Sequence, residues 1–584
     1  MDELSELSSA LRQAEIGRRT FVDTPFGRRL VTYADLTATG RALSFVEALV
    51  ARARPLYANT HTAISTTGRV TTALREQARA AIGRAVNASA EDVVLFVGSG
   101  ATAAVNKLVG LLGLRIAEPL ERRYRLSGAI PAAERPVVLV SPYEHHSNEL
   151  PWLESVAEVV EVGLDARGGI DLEDLEVKAR AHAGRPVRVG AFSAGSNVTG
   201  ALTDVQAVAR VLHRHGFMAC ADYAAAGPYV PIDMHPADPA ARLDAVVIST
   251  HKFLGGPEGS GVLVAHRELF RSRTPERPGG GTVEYVAAFD HLSVDYSPHL
   301  AEREEGGTPD VLGDVRAGFA FLVKELLGPD RLLAHETALA ERAMARLRAH
   351  PRLTLYGPAQ GPRLPILSFN VEGLHHDFVA ALLDQLLGIQ NRAGCSCAGP
   401  YGHRLLGVGP ERSAELRQAI GRGVLALKPG WVRLSLPHHA TEAEVDFLLS
   451  AIELVADHGE AFLPLYALGW RDGIWRPLAG TPPDPAPVQV TLEAVREALS
   501  ARPPAAAEAA LPDAEADALR RGYLEEARRL AAALRAKQSE APPRWNPPTG
   551  DPFVDRLVWF RYVHAEGDVT APPQGQGCAV CSGS

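Results

Sequence analysis

Ser249-Thr250-His251-Lys252 closes the apolar run Leu243 to Ile248 and opens the glycine-rich stretch FLGGPEGSG. A run of that kind reads as a short buried strand, and a lysine just past its end sits at the edge of a core, where desolvation lowers its pKa. An amine so placed attacks an aldehyde and holds it as a Schiff base. Ser249 and His251 flank it with a hydroxyl and an imidazole suited to a phosphate, and the glycines let the backbone pass close to a ligand. The chain has six lysines against fifty-four arginines, and arginine cannot form this imine.

Four further segments place polar groups at strand ends. Val93 to Val97 (VVLFV) runs into Gly98-Ser99-Gly100-Ala101-Thr102 and then a helical pattern, a cradle in which free amides and a helix N-terminus favour an anion. PVVLVSP delivers Glu144-His145-His146, with an imidazole placed to stack on an aromatic ring. VRVGAFSA leads to Asn197, a donor for a phenolic oxygen, and HGFMACAD brings Asp222 to a strand end, a costly place for a carboxylate unless it meets a cation. A protonated pyridine nitrogen is such a cation, and the pairing makes the ring a better electron sink.

On these motifs the chain, over roughly residues 20 to 475, resembles the fold-type I pyridoxal phosphate enzymes of the class V aminotransferase group, which contains cysteine desulfurases and selenocysteine lyases. The resemblance implies an α/β fold with a large, mostly parallel seven-stranded sheet domain and a smaller α+β domain, here followed by a C-terminal helical extension. It makes Lys252 the Schiff-base lysine, Asp222 the partner of the pyridine nitrogen and His145 the ring-stacking base. Asn197 contacts the ring hydroxyl, while Ala101, Thr102, Ser249 and His251 hold the phosphate. Thr308, in REEGGTP, touches phosphate across a homodimer interface; His61, in YANTHT, lies near the substrate. Arg433, in WVRLSL, grips the substrate α-carboxylate with its bidentate fork.

The segment NRAGCSCAGP bears on reaction type, because a loop of this form carries the nucleophilic cysteine of the desulfurases and Cys397 falls at that position. Arg392 and nearby positive charge favour a thiolate there. The chain departs from its relatives in two places. Asp222-Tyr223-Ala224-Ala225 lacks a glutamine that bonds the ring hydroxyl, and Cys395-Ser396 replaces the histidines of one desulfurase branch. Cys395 leaves open a local disulfide or a hand-off of sulfur between thiols. The leading reading is release of sulfur from L-cysteine, or a related thiol or selenol amino acid, as an enzyme persulfide plus alanine. Two others stay open: another class V reaction (carbon–sulfur or selenocysteine lyase, epimerase, aminotransferase) and a scaffold that kept the fold without the chemistry.

Composition fits such an enzyme. With 584 residues, 46% of them hydrophobic, the chain supports several large cores. A net charge of −9 with scattered basic residues disfavours nucleic acid, no stretch reaches a membrane span, and the acidic opening MDELSELSS lacks an apolar signal core, so a cytoplasmic enzyme is expected. The five cysteines are too few and too closely paired for a disulfide scaffold, and no metal site is expected. Partners are a small amino-acid substrate, a second copy of the chain and, under the desulfurase reading, a sulfur-acceptor protein.

Alternation of short apolar runs with helical stretches places the large cofactor-binding domain at 61–343 and the smaller α+β domain at 344–475, with residues 1–60 packing beside the latter. Residues 476–584 read as a proline-rich linker, a helical extension and a tail ending in Cys578-Ala579-Val580-Cys581. Leu519, Tyr523, Ala527, Leu530 and Leu534 share one helical face, which must dock. The terminal Cys-x-x-Cys has three readings: a sulfur relay, half of a zinc site, or an unstructured tail.

Overall fold

The computed structural model describes residues 3–60, 62, 64–287, 293–480 and 511–570. Seven strands form its largest sheet: β1 (Asp92–Val97), β2 (Val137–Val140), β3 (Glu158–Glu161), β4 (Arg188–Ser193), β5 (Met218–Asp222), β6 (Ala245–Ile248) and β7 (Gly261–His266). Their order across the sheet is β1-β7-β6-β5-β4-β2-β3. All run parallel except β7, which pairs antiparallel with both β1 and β6. The valine-rich β2 and β6 are buried at every residue, as strands covered on both faces must be.

The period-two alternation of a strand divides these residues between two cores. Val137 and Leu139 of β2, with Val246 and Ile248 of β6, enter one hydrophobic cluster, whereas Val138, Val140 and Val247 enter the cluster on the opposite face. Helices cover both faces. Thr66–Ala85 lies against Val311–Leu327 so closely that a Cβ on Gly318 would stand 2.7 Å from the Ala78 Cβ.

A third core surrounds a four-stranded antiparallel sheet in the order Leu353–Leu355, Ile366–Val371, Trp431–Ser435, Arg392–Gly394. Helix His376–Leu387 and helix Glu442–His458 pack on it, the latter opened by a capping box in which Thr441 and Glu444 satisfy each other's backbone. The extension belongs to this core. Helix Asp513–Glu540 buries Tyr523 and Ala527 with Leu519, Leu530 and Leu534 packed beside them, and His564–Glu566 adds a parallel strand to Tyr466–Gly469. Residues of the N-terminal segment enter two cores: Leu43, Val46 and Val50 join the large sheet's, whereas Leu30 and Ala34 join the third. Among the described residues no helix is long and apolar enough to cross a membrane.

Candidate active site

The C-terminal ends of β1, β2, β4, β5 and β6 open on one edge of the large sheet, where ligands of open α/β folds gather. A cleft of about 230 Å³ lies there, and the third core supplies its other wall. Among the described residues, every site residue singled out from the sequence lines it except Thr308. Thr308 is exposed and lies outside this cleft, and His61 lies outside the described residues.

Lys252 follows β6 on a single helical turn and reaches the cleft from below. Burial pushes its pKa down to about 8; Arg433 and Arg392 push the same way, and Asp222 opposes them. A lysine of ordinary pKa is almost wholly protonated near physiological pH, whereas this one keeps a sizeable minority in the neutral, nucleophilic form. Because the free amine must attack, capture of an aldehyde by the cofactor-free protein is expected to accelerate as pH rises through about 8 and to level off above it. A stopped-flow pH series would show this, and a profile still rising steeply at pH 10 would contradict it.

Asp222, at the end of β5, is buried, and burial raises its pKa while the Ala224 N–H, 2.7 Å from Oδ1, and the charge of Lys252 pull it down. Such a carboxylate calls for a cation. His145 caps helix His146–Leu153: its Nδ1 accepts the Ser147 N–H at 3.0 Å, so the ring proton sits on Nε2. Burial first and Lys252 second drive its pKa to about 3, leaving an uncharged ring at neutral pH.

At the head of helix Gly100–Leu111 the Ala101 N–H donates to Ser249 Oγ at 2.9 Å, and Thr102 Oγ1 lies 2.7 Å from Ser147 Oγ. Gly100 adopts φ +57°, and a Cβ there would meet Ser249 Oγ at 2.8 Å and the His251 ring at 2.9 Å. Burial and the nearby Lys252 lower the His251 pKa to about 4. A helix N-terminus with two hydroxyls and a neutral imidazole, a carboxylate awaiting a cation and a desolvated amine together fit pyridoxal phosphate.

The opposite wall carries the cysteine loop. Ser396 and Cys397 take φ of +50° and +55°, two successive left-handed residues without glycine, at a cost of about 1–2 kcal/mol each. Three hydrogen bonds hold the loop against the large sheet: Asn197 Nδ2 donates to Ser396 O at 2.8 Å, the His146 N–H to Cys397 O at 2.8 Å, and the Gly399 N–H to His146 Nε2 at 3.0 Å. Cys397 is exposed to the cleft, whereas Cys395 is half-buried against the core; both are free thiols. Cys578 and Cys581 lie outside the described residues.

Asp35 escaped the sequence reading. Buried beside the cleft, it receives Arg433 Nη2 on Oδ1 at 3.0 Å and Arg392 Nε on Oδ2 at 3.1 Å, so one carboxylate mounts both arginines. Arg433 Nη1 donates to Asn197 O at 3.1 Å, and its buried Nε has no hydrogen-bond partner among the described residues. Glu144, beside His145, was also passed over. It accepts from Ser141, Asn148 and Ser193, tying the ends of β2 and β4 together, and burial raises its pKa to about 7. Nothing in the local sequence marks Asp35, whose partners lie more than 350 residues away.

An open α/β sheet with a desolvated lysine, a buried carboxylate and a phosphate cradle at its strand ends defines a class of enzyme that works through an aldehyde cofactor. The aminotransferase class-V family model matches residues 32–448. A probable cysteine desulfurase of Streptomyces coelicolor is 30% identical over 435 residues, spanning 74% of this chain and 93% of the relative. One of Halalkalibacterium halodurans is 31% identical over 375 residues, 63% of this chain and 84% of the relative. The structure of a cysteine desulfurase from Thermococcus onnurineus superposes with a TM-score of 0.60 at 24% identity, covering 77% of this chain and 98% of that one. The chain belongs to the aminotransferase class-V family, whose enzymes depend on pyridoxal phosphate.

Proposed function

We propose that this chain is a cysteine desulfurase, converting L-cysteine, or a related thiol or selenol amino acid, to alanine and leaving the sulfur as a persulfide on Cys397. The observation that carries this reading is an exposed thiol, Cys397, lining the same cleft as Lys252 and Asp222. The relatives named above bear the same activity in their names.

Pyridoxal phosphate, when bound, supplies the electron sink that acidifies the substrate Cα. Ala101, Thr102, Ser249 and His251 would hold its phosphate, Asp222 its pyridine nitrogen, and His145 would stack on its ring, with Thr308 reaching the neighbouring subunit's phosphate in a homodimer. Arg433 orients the substrate through its α-carboxylate, fixed from behind by Asp35. Lys252 takes the Cα proton. The Cys397 thiolate attacks the substrate sulfur and forms the S–S bond as the Cβ–S bond breaks; the electron pair of that bond stays on Cβ, which takes up a proton to become the methyl group of alanine. The persulfide sulfur then passes to a thiol reductant or an acceptor protein.

The holoenzyme given L-cysteine and a thiol reductant should release alanine and sulfide in equal amounts. Pyruvate in place of alanine would instead make the chain a lyase.

A further inference from the structure

Helix Asp513–Glu540 lies beyond the residues that match the family model, yet it bonds to the segment of chain that carries Asp35. We infer that this extension is a positioning element of the active site, in which Arg520 and Tyr523 fix the segment Arg29 to Asp35 and thereby set the two arginines that face the substrate. The inference rests on the reading of Arg433 as the carboxylate clamp.

Both side chains are buried, at 3% exposure for Arg520 and 7% for Tyr523. Tyr523 Oη accepts the Leu30 N–H at 3.1 Å, and the Arg29 guanidinium lies 4.8 Å from the centre of its ring. Arg29 also donates to Glu526 at 3.1 Å and to Leu386 O at 2.8 Å. Arg520 ion-pairs with Glu444 at 2.7 Å and with Asp517 at 2.8 Å, and its Nε faces Thr32 Oγ1 at 3.4 Å. Residues 29, 30 and 32 are thus held from the extension's side.

From its other side the same segment is sewn into the clamp. The Thr32 N–H donates to Gly388 O and the Ala34 N–H to Gln390 O, both at 2.9 Å, and the Ser435 N–H donates to Ala34 O at 2.7 Å. Gln390 precedes Arg392 by two residues and Ser435 follows Arg433 by two, so the segment that leads from strand Thr32–Tyr33 to Asp35 is bonded to strand Ile389–Gln390, just before Arg392, and to the end of the strand that carries Arg433. Tyr33 lies between: its hydroxyl donates to Asp35 O and Thr39 O, and it lines a cavity of about 20 Å³ together with Arg520 and Glu444. Displacement of this strand by a fraction of an ångström moves Asp35, and a misplaced binding group costs affinity steeply.

The test uses the full-length holoenzyme and reads KM and kcat for L-cysteine, with cofactor absorbance and thermal midpoint as checks on folding. Arg520→Met is expected to raise KM about fivefold to tenfold with kcat within about twofold of the parent, and Arg520→Lys to recover much of the loss. Tyr523→Phe, which removes one hydroxyl and no packing volume, is expected to raise KM about twofold to threefold and carries the test if Arg520→Met does not fold. Arg433→Lys is the reference. A raised KM in Arg433→Lys beside wild-type KM in the extension variants overturns the inference alone. An unchanged KM in Arg433→Lys overturns the clamp reading and the inference with it.

Discussion

Replacing Lys252 by alanine is expected to abolish the yellow absorbance of the lysine-bound cofactor and to lower turnover of L-cysteine by about a thousandfold or more. The size follows from two tasks on one side chain. Under the proposed function Lys252 is both the anchor, as a desolvated amine with its pKa near 8 lining the cleft, and the base that takes the substrate Cα proton. The other groups of the cleft cannot stand in: His145 and His251 are held neutral with weakly basic rings, and Arg433 and Arg392 are occupied by Asp35. The loss also removes the cation that opposes the upward push on Asp222. Retention of both the absorbance and the turnover in Lys252→Ala would remove Lys252 from the chemistry.

Cys397→Ala is expected to keep the cofactor and its absorbance yet to lose alanine and sulfide formation by about a hundredfold or more, since no other thiol lines the cleft among the described residues. Cys395→Ala separates the two cysteines. Its thiol is half-buried against the large sheet's core, so its loss should change turnover by no more than about threefold. Full turnover by Cys397→Ala would move the chain to a lyase or another class V reaction, and equal damage from the two substitutions would restore the hand-off between thiols.

Most of the cofactor cradle is legible because it is local. VVLFV, VVLV and AVVI are short, β-branched and bounded by turn residues, which marks them as strands, and each delivers its polar group within a few residues of its end. The amphipathic face at Leu519, Tyr523 and Ala527 is equally plain, since helical period and a buried stripe coincide. What that face docks on is not, because Leu30 and Glu444 are distant in sequence and nothing in the spacing of the extension refers to them. Asp35 is invisible for the same reason: its role comes from two arginines on strands that fold against it from the far end of the chain. The left-handed pair Ser396 and Cys397 likewise gives no sign in composition, since loops that adopt such angles usually place glycine there.

The three hydrogen bonds that tie the backbone of Ser396, Cys397 and Gly399 to Asn197 and His146 make this loop a latch and not an arm. At about 1 kcal/mol each, they resist any swing that would carry sulfur outward. Under the proposed function, delivery then depends on the reach of the recipient: a slender thiol enters and strips the sulfur where it was made, while a bulky recipient must insert a narrow finger or wait for the latch to open. The lifetime of the loaded enzyme becomes a gauge of recipient shape, short for small thiols and long for blunt ones.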